Sequence, residues 1–130
     1  MKNSVEKLFF ISCMLCFFSC SAQKQPFDSL SPVDFEKLIT EKPDIQLVDV
    51  RRPDEFEAGH IAKAVLINVQ DSDFITKAKS LLDKSKPVAV YCRSGRRSKE
   101  AAQNLAKEGF KIYELDSGYL GWIEYINSKN

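Results

Sequence analysis

Apolar and polar positions divide the chain into three stretches. Residues 8–20 are mostly apolar and follow a short polar start that contains Lys2 and Lys7, whereas residues 21–30 are polar and carry Pro26. From Ser31 onward, short apolar runs alternate with segments whose apolar residues recur every three or four positions. Ser31-Pro32-Val33-Asp34 combines a cap residue, a proline at the first helical position and an acid at the third, which predicts a helix from Pro32 to about Glu41 with Phe35, Leu38 and Ile39 inward. Ile45 to Val50, bounded by Pro43-Asp44 and Arg51-Arg52-Pro53, reads as a buried strand. Pro53 opens a brief helical turn that ends at Gly59, and Ala64 to Val69 is a second strand. Phe74, Ala78, Leu81 and Leu82 fall at helical spacing behind an Asp71-Ser72 cap, and Pro87 to Tyr91 is a third strand. Glu100 to Glu108 is rich in helix formers and stops at Gly109, and Lys111 to Leu115 is a fourth strand. Gly118 and Gly121 interrupt a last helix containing Trp122, Tyr125 and Ile126.

Strands that alternate with helices over a hundred residues predict an α/β fold: a central, mainly parallel sheet flanked by helices on both faces. Ligands of such sheets bind beyond the carboxyl ends of the strands. The loops after Val50 and Tyr91 are therefore where chemistry is expected.

The first stretch, a short basic start before about a dozen apolar residues, is a secretory leader, too short to span a membrane comfortably. Its end, Ser19-Cys20, resembles the bacterial lipoprotein signal, in which the cysteine becomes the acylated first residue. Cleavage after Ala22 and an uncleaved anchor are the alternatives. The division expected is a signal peptide over residues 1–19, an acylated Cys20, a tether over 20–30 and one domain over 31–130. Such a protein is exported and periplasmic, held to a bacterial membrane by lipid.

Composition narrows the function. At 130 residues the chain has room for one domain, and its 44% apolar and 28% charged residues are those of a globular fold. Once Lys2, Lys7 and Glu6 are set aside with the leader, 17 basic residues face 17 acidic ones, so no nucleic-acid partner is expected. Cys13, Cys16 and Cys20 lie in the first twenty residues, which leaves Cys92 as the one cysteine of the domain. It can form no disulfide there. Together with His60, the only histidine, it cannot make a structural zinc site of about four ligands. Neither a metal nor a cofactor is called for.

Cys92-Arg93-Ser94-Gly95-Arg96-Arg97-Ser98 leaves a strand and enters a helix. Backbone N–H groups of such a loop turn toward a common centre, and the helix N-terminus adds partial positive charge, so an anion or a thiolate is stabilised there. That is the condition for a nucleophilic cysteine. Three arginines in a first helical turn oppose the helix dipole by roughly 0.3–1 kcal/mol each, which suggests that a negative ligand offsets them. The competing reading is a small buried cysteine beside a solvated basic turn.

This loop resembles the active loop of single-domain rhodanese-like sulfurtransferases. The resemblance extends, in order, to Leu47-Val48-Asp49-Val50-Arg51, Glu55-Phe56, Gly59-His60-Ile61 and Leu115-Asp116-Ser117-Gly118 with Trp122, and it covers about residues 30–127. Ser117 departs from the first glycine of many members. The resemblance implies a sulfane sulfur passed from an anionic donor such as thiosulfate, through a Cys92 persulfide, to cyanide or a thiol. Cys92 would be the nucleophile, and Arg93, Ser94, Gly95, Arg96 and Arg97 would bind the transferred sulfur and its donor. Asp49 and Arg51 would support the loop or line its mouth, or else form only a local turn bond. His60 would sit in a structural turn, not in a papain-like pair. Trp122 and Tyr125 read as core.

Two rivals remain. Phosphatases and arsenate reductases of this fold have five residues between cysteine and arginine, whereas here Arg97 closes the loop after four and Ser98 stands in the next place. A shorter loop suits a sulfur atom better than a tetrahedral oxyanion. The other rival is a low-turnover persulfide- or sulfide-binding module that serves a partner protein, and it needs Cys92 equally.

Overall fold

Two-residue alternation along the central strands decides which face each side chain serves. The structure, a computed structural model, describes residues 23–130; the expected leader, Cys20 and the first part of the tether lie outside the described residues. Strands β1 (Asp28–Leu30), β2 (Gln46–Asp49), β3 (Val65–Leu66), β4 (Val88–Tyr91) and β5 (Ile112–Leu115) form one sheet in the order β1-β5-β4-β2-β3. Every pairing is parallel. Helices α1 (Pro32–Glu41), α2 (Pro53–Ala58), α3 (Phe74–Leu81), α4 (Arg96–Lys107) and α5 (Gly118–Ser128) lie between and after the strands.

Val48, Val50, Val88, Val90, Cys92 and Ile112 point to one face and pack with Phe74 and Ala78 of α3 and Ala101, Ala102 and Leu105 of α4. The intervening Leu47, Ala89, Tyr91 and Leu115 point to the other face and meet Phe35 of α1 and Tyr119 and Trp122 of α5. Both faces are thus buried, as the sequence pattern implies for a parallel sheet. Cys92 falls on the α4 face because it continues the register of Val88 and Val90.

The helix over Pro32–Glu41 starts as expected: Ser31 caps it by accepting from the Asp34 N–H at 3.3 Å, with Pro32 at the first position. Other boundaries differ. The stretch expected as a tether to residue 30 ends earlier, since Asp28–Leu30 pairs with Tyr113–Leu115 of β5 and Phe27 is 6% exposed within the core. Three residues, two of them polar, carry too little periodicity to mark a strand; the burial of Phe27 holds it in place. The strand expected over 64–69 is regular only at Val65–Leu66, although Ile67 and Val69 still donate to Asp49 and Val50 carbonyls at 2.9 and 3.1 Å.

The third helix begins at Phe74 after Asp73, and Leu81, although at helical spacing with Phe74 and Ala78, is 59% exposed. The fourth helix begins at Arg96 rather than near Glu100, because Gly95 turns the chain in the left-handed region (φ 104°). The last helix runs unbroken through Gly121. At Gly118 (φ 65°) an added Cβ would lie 2.4 Å from the Arg93 backbone, so glycine there permits a close approach instead of a break.

If Phe27 belongs to the domain, Phe27→Ala should lower the unfolding free energy by about 3 kcal/mol in urea titrations. Deletion through residue 26 should leave the midpoint unchanged, and deletion through residue 30 should lower it.

Candidate active site

The strand order reverses between β2 and β4, neighbours whose following segments run to opposite sides of the sheet. Such a switch point leaves a crevice at the carboxyl ends. A cleft of about 380 Å³ opens there, lined by Arg52 after β2, Val69 and Gln70 after β3, and Arg93, Ser94, Arg96, Arg97 and Glu100 from the loop and α4.

The loop is gripped from behind by the first turn of α5. The Tyr119 N–H donates to the Cys92 carbonyl at 2.8 Å and the Leu120 N–H to the Arg93 carbonyl at 3.0 Å. In a planar trans peptide the C=O and the following N–H point in opposite directions. The N–H groups of Arg93 and Ser94 are therefore turned away from α5. Gly95 lets the chain turn into α4, and a Cβ on it would lie 2.0 Å from the Asp116 carbonyl oxygen.

Cys92 is 1% exposed and is the only free cysteine among the described residues. The Gly95 N–H donates to its Sγ at 3.1 Å, at the head of the twelve-residue α4. On its other side lies the Ser98 hydroxyl, 3.4 Å away. Ser98 also reaches the Glu114 carboxylate at 2.9 Å, and Glu114, fully buried on β5, is paired with Lys99 at 3.0 Å.

The arginines differ in their commitments. Arg97 makes two 2.7 Å hydrogen bonds to Glu55 of α2, and Arg52 pairs with Asp54 at 3.2 Å. Arg93 and Arg96 are exposed and have no ion pair among the described residues. Ser94 is exposed beside them.

Asp49 and Arg51 do not line the cleft. They form a buried pair, with Arg51 donating to Asp49 at 2.7 to 3.1 Å and to the Gly59 carbonyl at 2.6 Å. The Arg51 guanidinium lies 4.4 Å from the centre of the Tyr119 ring and 5.6 Å from that of Tyr91. It thus braces the two aromatic residues beside the loop. Tyr91 accepts from the Ile61 N–H at 3.0 Å, and burial, with the neighbouring Asp49 carboxylate, pushes its hydroxyl above the ordinary tyrosine range. His60 stacks on Phe56 at 3.7 Å and bonds the Phe56 carbonyl through Nδ1 at 2.8 Å, a turn role. Trp122 packs edge-on against Phe35, while Tyr125 bonds Glu36.

Glu55 and Ser98 stand in the motifs of the sequence but carried no expected site role, and Lys99 and Glu114 were not expected at the site. A signal existed for Glu114: a carboxylate between Tyr113 and Leu115 in a strand expected to be buried needs partners. Nothing in the sequence pairs Glu55 with Arg97, 42 positions away.

The Arg97 guanidinium holds the Glu55 carboxyl at about 2, from an ordinary 4.5. A carboxyl lowered on folding stabilises the fold above its unfolded value, and that contribution is lost as pH falls through the folded value. Stability should accordingly drop between about pH 4.5 and 2, and Glu55→Gln should flatten this part of a urea-midpoint against pH curve.

The chain is similar to several known proteins. A thiosulfate sulfurtransferase GlpE of Coxiella burnetii is 40% identical over 86 residues, 65% of this chain and 77% of that one. A tRNA uridine(34) hydroxylase of Pelagibacter ubique is 32% identical over 112 residues, 85% of this chain but only 37% of the hydroxylase. In structure, the polysulfide-sulfur transferase homodimer of Wolinella succinogenes is similar with a TM-score of 0.63 and 37% identity, over 80% of this chain and 78% of that one. The family model described as Rhodanese-like domain matches residues 31–125, and the chain belongs to that family.

Proposed function

We propose that the chain is a sulfurtransferase in which Cys92 carries the transferred sulfur as a persulfide. One observation carries the reading: the Cys92 Sγ lies under the Gly95 N–H at the head of α4, beside a cleft where Arg93 and Arg96 are free to meet an anion. Relatives named thiosulfate sulfurtransferase, and a structural neighbour named polysulfide-sulfur transferase, support a transferase of this kind.

The Cys92 thiolate attacks the sulfane sulfur of a donor such as thiosulfate; the donor S–S bond breaks, and sulfite leaves with its electron pair. The outer sulfur of the persulfide then bears the negative charge, close to the amides of Arg93 to Arg97, which stabilise it without reorganising. A thiolate or cyanide acceptor attacks that outer sulfur, the persulfide S–S bond breaks, and the Cys92 thiolate is restored. Arg93 and Arg96 hold the anionic donor, whereas Arg97 is engaged by Glu55 and fixes α2 to the loop.

Intact-protein mass spectrometry should show one added sulfur after thiosulfate treatment, removable by cyanide. Cys92→Ser should fold normally and lose transfer, because a serine hydroxyl stays protonated near neutral pH. Arg96→Ala should raise the KM for thiosulfate about two- to fivefold, the size of an exposed charge contact, and 1 M salt should raise it in the wild type. Retained transfer in Cys92→Ser, or efficient hydrolysis of aryl phosphates without persulfide, overturns the reading.

We also propose that the chain is exported to the periplasm and that Cys20 is its lipid anchor, on the strength of the apolar run ending in Ser19-Cys20. With Phe27 in the core, residues 21–26 are left as the tether, and six residues span at most about 20 Å. The tether enters at the amino end of parallel β1, and the cleft is at the carboxyl ends, so an anchored domain presents its cleft away from the membrane. Cys20→Ala should release the protein from the membrane fraction; unchanged association would refute the anchor.

A further inference from the structure

Ser98 has one hydroxyl proton and three neighbours that can take it. Its Oγ lies 2.9 Å from Glu114 Oε1, 3.1 Å from the Gly95 carbonyl and 3.4 Å from Cys92 Sγ. The Gly95 carbonyl already receives the Lys99 ammonium at 3.3 Å. The carboxylate is both the nearest acceptor and the charged one, and charge-assisted hydrogen bonds are about twice as strong as neutral ones. The proton therefore belongs to Glu114, and a lone pair of Ser98 faces the cysteine. Glu114 is itself fixed, since Lys99 meets Oε1 at 3.0 Å and Ser29 of β1 donates to Oε2 at 2.7 Å.

We propose that Glu114 is a positioning residue of the site, acting through Ser98 to disfavour the empty Cys92 thiolate and so, where that cysteine is ionised, to favour the sulfur-loaded state. A thiol donates to the Ser98 lone pair without disturbing anything. A thiolate cannot donate, and it gains the Ser98 proton only if Glu114 gives it up. Once the sulfur is loaded, the inner Sγ is an uncharged disulfide-like atom and the charge sits on the outer sulfur, so the Ser98–Glu114 bond persists unopposed. Glu114 thus disfavours the empty thiolate and leaves the persulfide untouched.

This inference rests on the persulfide reading only for its second half, and two measurements separate them. The charged groups around the Cys92–Ser98 pair are Arg93 of the loop, Arg96, Arg97 and Lys99 from α4, the Asp49–Arg51 pair at the end of β2 and Glu114 of β5, and Glu114→Gln alters only the last. The first measurement is the pH midpoint of Cys92 alkylation by iodoacetamide, which needs no sulfur donor. Glu114→Gln should shift the midpoint downward by about half to one pH unit, the weight of one hydrogen bond. Ser98→Ala should also shift it downward, because it removes the acceptor of the thiol proton; a serine that simply donated to the thiolate would give an upward shift. In the Ser98→Ala background, Glu114→Gln should have less than half its effect. An unchanged midpoint in Glu114→Gln, an upward shift in Ser98→Ala, or an undiminished effect in the double variant overturns the proposal.

The second measurement is the loaded fraction, by intact mass, at fixed ratios of thiosulfate to sulfite. Glu114→Gln should lower the loaded-to-empty ratio about three- to tenfold above the alkylation midpoint. An unchanged ratio there refutes the preference for the loaded state, whereas absence of any persulfide in the wild type refutes the function proposed above and leaves the alkylation result standing.

Discussion

The site depends on a close approach between two pieces of backbone. The first turn of α5 can donate to the Cys92 and Arg93 carbonyls only because Gly118 brings no Cβ between the chains. Those two bonds fix the peptide planes of the loop, and the planes in turn fix where the amides point. A side chain at Gly118 would push α5 away and leave the carbonyls free to rotate. The loop would then keep its cysteine but lose the orientation of the N–H groups around it. Gly95 imposes the matching condition at the other end of the loop, where the Asp116 carbonyl leaves no space for a Cβ.

Around this loop, charge is disposed in two shells with different duties. Pairs with a buried carboxylate brace the structure: Asp49 with the buried Arg51 behind Tyr91 and Tyr119, and Glu114 with the half-exposed Lys99. Buried ions are costly unless every partner is present, and here each carboxylate has at least two donors. Such pairs contribute a unique arrangement more securely than net stability. Outside them, Glu55 spans from α2 to α4 and sets the cleft wall.

What the sequence made legible follows the strength of local signals. Leu47-Val48-Asp49-Val50, apolar but for Asp49, and Val88-Ala89-Val90-Tyr91 have turn residues at their ends, and they formed the core of the two strands that frame the site. Ser31-Pro32 stated its helix outright. Strand β1 did not show, because its stability comes from pairing with β5, 85 positions away at Ser29 and Glu114, and from Phe27. The helix formers of Glu100 to Glu108 mark only the body of α4; Gly95 in the left-handed region lets the helix begin earlier, among the arginines. For the candidate site, the place of Cys92 and its loop between a strand and a helix was legible in the sequence. The roles of Glu55 and Glu114 were not, since each is defined by a partner distant in sequence.

The free charge in the cleft bears on the ligand. Four guanidinium groups line it in a domain whose basic and acidic residues otherwise balance. Asp54 and Glu55 engage Arg52 and Arg97, which removes those two from ligand binding except as part of the wall. Arg93 and Arg96 remain, two positive charges with no carboxylate in an ion pair with either among the described residues. Both stand within the turn that carries the Gly95 amide, so a bound anion would meet side-chain and backbone donors together. A dianion of the charge of thiosulfate matches that remainder. In the sulfur transfer we propose, this places the two arginines with the anionic donor.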